Sequence, residues 1–149
     1  MDKQNRTIGI TCSTFDLLHA GHILMLEECK KYCDYLICAL QVDPSIDRSE
    51  KNKPIQSLVE RYIQLDAVQY VDRIIPYTTE NELLMIFSSL DLDVRIIGEE
   101  YKDKNFTAKD LCLKRGIKLV YNKRDHDFST TNLREKIYTQ ESNKRFIKN

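Results

Sequence analysis

The chain has 149 residues, enough for one domain that buries roughly two-thirds of its unfolded surface around a single core without a disulfide or metal staple. Lysine plus arginine number 23 and aspartate plus glutamate 23, so net charge draws neither nucleic acid nor a membrane, and any anion site must be local. The opening residues 1–6 are polar and no apolar stretch is long enough to span a bilayer, which predicts a cytoplasmic protein.

The cysteines, Cys12, Cys29, Cys33, Cys38 and Cys112, are odd in number and form no paired C-x-x-C framework; they read as free thiols of a reducing compartment. Residues 7–12 form a buried strand that stops at a turn begun by Ser13 and Thr14, and residues 23–32 carry Ile23, Leu24, Leu26 and Cys29 at helical spacing. A continuous apolar run at 35–42 is a strand covered on both faces, completing a β-α-β unit whose crossover is right-handed. Residues 43–54, charged and broken by Pro44 and Pro54, form a loop. Leu58, Tyr62, Leu65 and Val68 then line one face of a helix over 58–70. A strand at 71–76, a helix at 80–89, a strand at 93–97 closed by Gly98, a helix at 107–115 capped by Gly116 and a strand at 117–121 follow.

Strands alternate with helices, and each connection is long enough for a parallel crossover. The predicted fold is therefore α/β, a Rossmann-like, doubly wound, five-stranded parallel sheet. The expected domain is single, with a core over about 7–138 and a frayed polar tail over 139–149. Ligands of such sheets sit beyond the carboxyl ends of the strands, near the switch in strand order. Loops 13–21, 43–54, 98–106 and 122–130 gather at that edge.

The segment Ser13-Thr14-Phe15-Asp16-Leu17-Leu18-His19-Ala20-Gly21-His22 carries the most chemistry. His19 and His22 fall on one face of a helix that starts near His19. A helix N-terminus supplies unpaired N–H groups and a positive dipole end, and two imidazoles add hydrogen bonds for phosphate oxygens. Gly21 leaves room for a ligand to approach the backbone. Two satisfied histidines, or half of a metal site, are the bland alternatives. Their place between a strand and a helix favours the phosphate site.

This segment resembles the G-T-F-D-x-x-H-x-G-H signature of the cytidylyltransferase-like nucleotidylyltransferases, the HxGH type. Three further blocks agree in order: Val59-Glu60-Arg61-Tyr62 with an E-x-R or E-R element, Tyr70-Val71-Asp72-Arg73-Ile74-Ile75-Pro76 with Y-V-D-E-V-I-P, and Arg124-Asp125-His126-Asp127-Phe128-Ser129-Thr130-Thr131 with R-T-x-G-I-S-T-T. The resemblance implies transfer of a nucleotidyl group, CTP being the expected donor and a small phosphorylated alcohol or polyol the acceptor, with Mg2+ carried by the triphosphate and no tightly bound cofactor or protein-held metal. An adenylyltransferase using ATP and a sugar phosphate is a rival, and a non-catalytic nucleotide-binding regulator is an alternative of another class. A homodimer is expected from the resemblance, and no nucleic-acid or membrane partner.

Carried over by position, His19, His22, Lys53 and Arg124 are the catalytic candidates. Thr14, Phe15, Gly21, Lys51, Lys53, Gly98, Ser129, Thr130 and Thr131 join both histidines and Arg124 around the nucleotide, and Asp16, Lys51 and Arg61 are assigned to the acceptor substrate. Spacing leaves Lys51 and Lys53 undecided as the phosphate contact. Arg61 is as readily a structural partner of a carboxylate, and Ser129 or Thr130 a helix cap. Ser13, Asp125 and Asp127 depart from the pattern's glycine, threonine and glycine, and Glu82-Leu83 stand where glycerol-3-phosphate enzymes place an acceptor-binding lysine.

Overall fold

The computed structural model describes residues 5–148; the polar start at residues 1–4 and Asn149 at the end of the tail lie outside it. Five strands, β1 (Ile8–Ser13), β2 (Tyr35–Gln41), β3 (Arg73–Tyr77), β4 (Val94–Gly98) and β5 (Lys118–Asn122), form one sheet in the order β3-β2-β1-β4-β5. Every neighbouring pair is parallel. Helices α1 (Ala20–Cys29), α2 (Leu58–Asp66), α3 (Glu80–Ser89) and α4 (Lys109–Arg115) alternate with the strands, a 3-10 turn covers Glu99–Tyr101, and α5 (Thr130–Lys148) closes the chain.

A parallel sheet is stable only with both faces covered, and β2 shows how the sequence achieves this. Leu36, Cys38 and Leu40 pack with Leu26 and Cys29 of α1 and Leu65 of α2, whereas Ile37 and Ala39 pack with Leu83 and Phe87 of α3 and Cys112 of α4. Side chains alternate along a strand, so one apolar run serves two cores. Burying each of these leucines or phenylalanines contributes about 1.5–3 kcal/mol. Gly9 of β1 permits the close approach of the chain after α1: a Cβ there would lie 2.7 Å from Cys33 Sγ. All five cysteines are free thiols.

Caps fix the element starts. Ser57 with Glu60 and Thr79 with Glu82 form capping boxes that open α2 and α3, and Gly116, at φ 70°, closes α4. Several boundaries differ from the periodicity. Helix α1 starts at Ala20 because His19 caps it. Helix α2 stops at Asp66, and Val68, Tyr70 and Val71 reach the core from the turn that follows. Ala108 stands in left-handed backbone, φ 69°, so α4 begins only at Lys109. The tail that charge and weak patterning assigned to fraying is helical through residue 148. No described helix is long and apolar enough to cross a membrane.

Strand β1 bonds β2 on one side and β4 on the other, and the order of connection reverses between them. A cleft at the carboxyl ends of such a pair is the expected ligand position.

Candidate active site

The loop leaving β1 is bent by its own residues. Ser13 Oγ accepts the Phe15 N–H at 3.3 Å, and Phe15 and Leu17 both take left-handed backbone, φ 50° and 51°. Two bulky residues in that region within three positions store strain that the surroundings must hold. Phe15 is sunk in the core at 1% exposure, its ring 5.8 Å from that of His22. The buried Asp16 carboxylate accepts from Ile55 N at 2.8 Å, Gln56 N at 3.0 Å and Arg134 Nη2 at 3.1 Å. Burial alone would raise this carboxyl; the two N–H groups and the guanidinium outweigh it and hold the group below its usual range. Leu17 N donates to Gln56 Oε1 at 2.8 Å, so the loop is stitched to residues 55–56.

The bend delivers His19 to the N-cap of α1. His19 Nδ1 accepts from Gly21 N at 3.0 Å and His22 Nδ1 accepts from His19 N at 3.1 Å, a capping box built from two imidazoles. With each Nδ1 occupied by an N–H, the neutral tautomer carries its proton on Nε2. His19 Nε2 thus donates to Thr130 Oγ1 at 3.2 Å, and His22 lies 4.0 Å away, ring to ring. Burial, then the neighbouring His19 and Arg124, bring His22 down to about 4. Burial, His126 and Arg124 lower His19 as well. Both are neutral donors at pH 7. Gly21 is required here, since a Cβ would meet His19 Cε1 at 2.8 Å and His126 Cε1 at 2.9 Å.

A cleft of about 540 Å³ opens between β1 and β4. His19, Gly21 and His22 line it with Gly98 and Arg124, and Ser129, Thr130 and Thr131 complete this part at the start of α5. Ser129 Oγ accepts from Asn132 N at 3.0 Å, so its hydroxyl caps the helix, while Thr130 ties α5 to the histidine loop. These eight sequence-assigned residues are brought together. A Cβ on Gly98 would collide with the Glu100 carboxylate.

Six others are not among the cleft's lining residues. Arg61, expected to reach the acceptor, is 2% exposed and donates to four backbone carbonyls: Gln56 O and Thr14 O at 3.1 and 3.0 Å, Gln41 O and Val42 O at 2.6 Å. It joins the loop after β1, the end of β2 and the approach to α2, and is a structural clamp. Asp16, likewise assigned to the acceptor, spends its carboxylate on Ile55, Gln56 and Arg134. Thr14 offers its carbonyl to Arg61, Phe15 is core, and neither lines the cleft. Lys51 and Lys53 stand exposed on the loop after β2, where the Lys53 carbonyl accepts from Arg134 Nη2 at 3.2 Å.

Three residues escaped the sequence reading. His126 is the third of the chain's three histidines and lines the same cleft; its Nδ1 accepts from Phe128 N at 3.1 Å, the pattern of the other two. Arg134 lies four residues after Thr130 on α5, and that spacing on one helix face was the available signal. Arg95 also lines the cleft. An arginine inside the apolar run of β4 is itself unusual, because arginine is almost never fully buried unless paired.

The chain matches the family model described as cytidylyltransferase-like over residues 10–136. Glycerol-3-phosphate cytidylyltransferase of Bacillus subtilis (strain 168) is 34% identical over 128 residues, 86% of this chain and 95% of the relative. Bifunctional protein HldE of Campylobacter jejuni subsp. jejuni serotype O:6 is 35% identical over 137 residues, which cover 91% of this chain and 29% of that protein. Among solved structures, the lipopolysaccharide core biosynthesis protein of Thermoplasma volcanium GSS1 superposes with a TM-score of 0.64 at 24% identity, over 83% of this chain and 100% of that one, a likeness of fold. The family match runs from within β1 into the second turn of α5 and so takes in every element that builds the cleft: the chain belongs to the cytidylyltransferase-like family and is a nucleotidyltransferase.

Proposed function

We propose that the chain transfers a cytidylyl group from CTP to the phosphate of a small phosphorylated alcohol or polyol and releases pyrophosphate. The observation that carries this reading is the convergence, in one cleft, of two neutral imidazoles with protonated Nε2 atoms and the N-termini of α1 and α5. An acceptor phosphate oxygen forms a bond to the α-phosphorus as the bond to the bridging oxygen breaks, and no covalent enzyme intermediate forms. The protein positions the two phosphates and stabilises charge that grows on the departing pyrophosphate.

His22 donates to the triphosphate, and His19 joins it by exchanging its Nε2–H bond to Thr130 Oγ1 for a phosphate oxygen. Arg124 adds a planar cation, and the free N–H groups at the start of α5, around Ser129, Thr130 and Thr131, add further donors. Gly21 and Gly98 leave space for the nucleotide. Lys51 and Lys53 would join only if the loop after β2 folds toward the cleft. Mg2+ is assigned to the substrate, arriving on the triphosphate. Two copies of the chain are proposed to associate as a homodimer, which sedimentation of the purified protein tests.

CTP is supported by relatives named glycerol-3-phosphate cytidylyltransferase that this chain matches along 95% and 96% of their length. ATP with a sugar phosphate is the second reading, and the chain is 35% identical to a relative of another name, bifunctional protein HldE, over 137 residues. A pyrophosphate-release screen of CTP and ATP against phosphorylated alcohols, sugars and amino-alcohols decides between them; turnover with ATP alone overturns the nucleotide assignment. His19→Ala and His22→Ala are each expected to lose about 10²–10³ in rate. Normal turnover by both variants would overturn the mechanism and favour a non-catalytic regulator.

A further inference from the structure

Arg95 is 4% exposed and sits on the α3/α4 face of the sheet, in register with Ile10 of β1. Its guanidinium is sandwiched between the Phe87 and Phe106 rings, 4.6 and 4.9 Å from their centres, and Nη1 donates to Thr107 O at 2.5 Å. Nε is buried with no hydrogen-bond partner. No carboxylate among the described residues forms an ion pair with it. The thiols of Cys12 and Cys112 flank it as weak, uncharged hydrogen-bond partners, and both are raised by burial in spite of the arginine's opposing pull, Cys12 to about 11. They stay protonated at neutral pH and supply no counter-charge.

A buried cation without an anion is a costly arrangement, and an apolar side chain of similar volume would fill the same sandwich without that cost. The charge therefore answers to something outside the chain. Arg95 lines the same cleft as the histidines but from the other face of the sheet. We infer that Arg95 is the cation of a second anion site, which takes the phosphate monoester of the acceptor. A planar fork with a free donor suits phosphate oxygens. In-line displacement places attacking and leaving oxygens on opposite sides of the phosphorus; with the histidines and the start of α5 on the pyrophosphate side, the attacking phosphate enters from β4. Assignment to the acceptor rests on the nucleotidyl transfer proposed above. The anion site does not.

Calorimetric titration of the full chain with inorganic phosphate and, separately, with pyrophosphate tests this, in wild type, Arg95→Met and Arg95→Lys. Phosphate affinity is expected to fall at least about tenfold in Arg95→Met and about threefold in Arg95→Lys, which keeps the charge but loses the fork, with pyrophosphate affinity within about twofold in both. Should Arg95→Met not fold, the lysine variant decides by the same contrast. Unchanged phosphate affinity, or equal loss of both anions, overturns the site. In turnover, acceptor KM rises while nucleotide KM holds; a rise in nucleotide KM alone overturns the assignment to the acceptor. If no nucleotide supports turnover in wild type, the functional reading fails, and the titrations still decide the anion site.

Discussion

Arg61 and Arg95 are both shut away from solvent, at 2% and 4% exposure, yet their donors are spent in opposite ways. Arg61 uses four hydrogen bonds on four carbonyls from three segments. Arg95 uses one on a carbonyl, meets two uncharged thiols and two aromatic faces, and leaves Nε idle. Burial is the same in the two regions, and donor accounting separates them. One arginine completes the fold; the other faces the cleft with capacity to spare.

Four measurements bear on that contrast. The largest effect falls on Arg61→Met, which orphans four carbonyls at the junction of β1, β2 and α2 and is expected to cost about 3–5 kcal/mol in urea unfolding; a loss below about 1 kcal/mol would break the comparison. Asp16→Asn removes the anion that Ile55, Gln56 and Arg134 share, and about 2 kcal/mol should go with it.

Acid supplies the third measurement. Folded His22 sits at about 4 against an ordinary 6.5, so the unfolded chain binds its proton first as pH falls. The associated stability is whole above 6.5 and is lost as pH drops toward 4. His19 acts in the same direction, whereas Asp16, held below 3.8, contributes stability that is lost only in stronger acid. Unfolding free energies from urea titration at pH 7 and pH 4.5 should differ by roughly 1–2 kcal/mol, and His22→Gln, which can still accept at the cap, should flatten that difference. The smallest change is expected for Arg95→Met, within about 1 kcal/mol of wild type in either direction. A loss as large as that of Arg61→Met would make Arg95 another structural clamp.

Most of the architecture was legible because parallel strands in a doubly wound sheet read as continuous apolar runs and the helices between them as amphipathic stretches. Boundaries were less so, for local reasons. The start of α1 near His19 was legible from the motif rather than from a cap, histidine being outside the usual N-cap set of Ser, Thr, Asp and Asn; α5 was legible at its start but not along the tail, where few apolar residues recur at helical spacing. The site divided along similar lines. Motif residues whose contribution is a backbone N–H or a small side chain, such as Gly21 and Thr130, stand where the sequence placed them. Arg61 and Asp16 sit in equally recognisable motifs but serve the scaffold, a distinction that depends on which carbonyls and N–H groups come within reach after folding. Lys51 and Lys53 were assigned from a loop whose position relative to the cleft no spacing encodes.

The histidine tautomers bear on the choice of nucleophile. In His19, His22 and His126 alike, the lone pair that could accept a proton is at Nδ1, and a backbone N–H already holds it. None of the chain's imidazoles can serve as a general base without surrendering a bond that shapes the cap of α1 or the turn before α5. The three imidazoles are thus set to give hydrogen bonds and closed to taking protons. An acceptor that arrives already ionised, as a phosphate does at neutral pH, needs none of these rings as a base, and a free alcohol would find no histidine in this cleft free to deprotonate it.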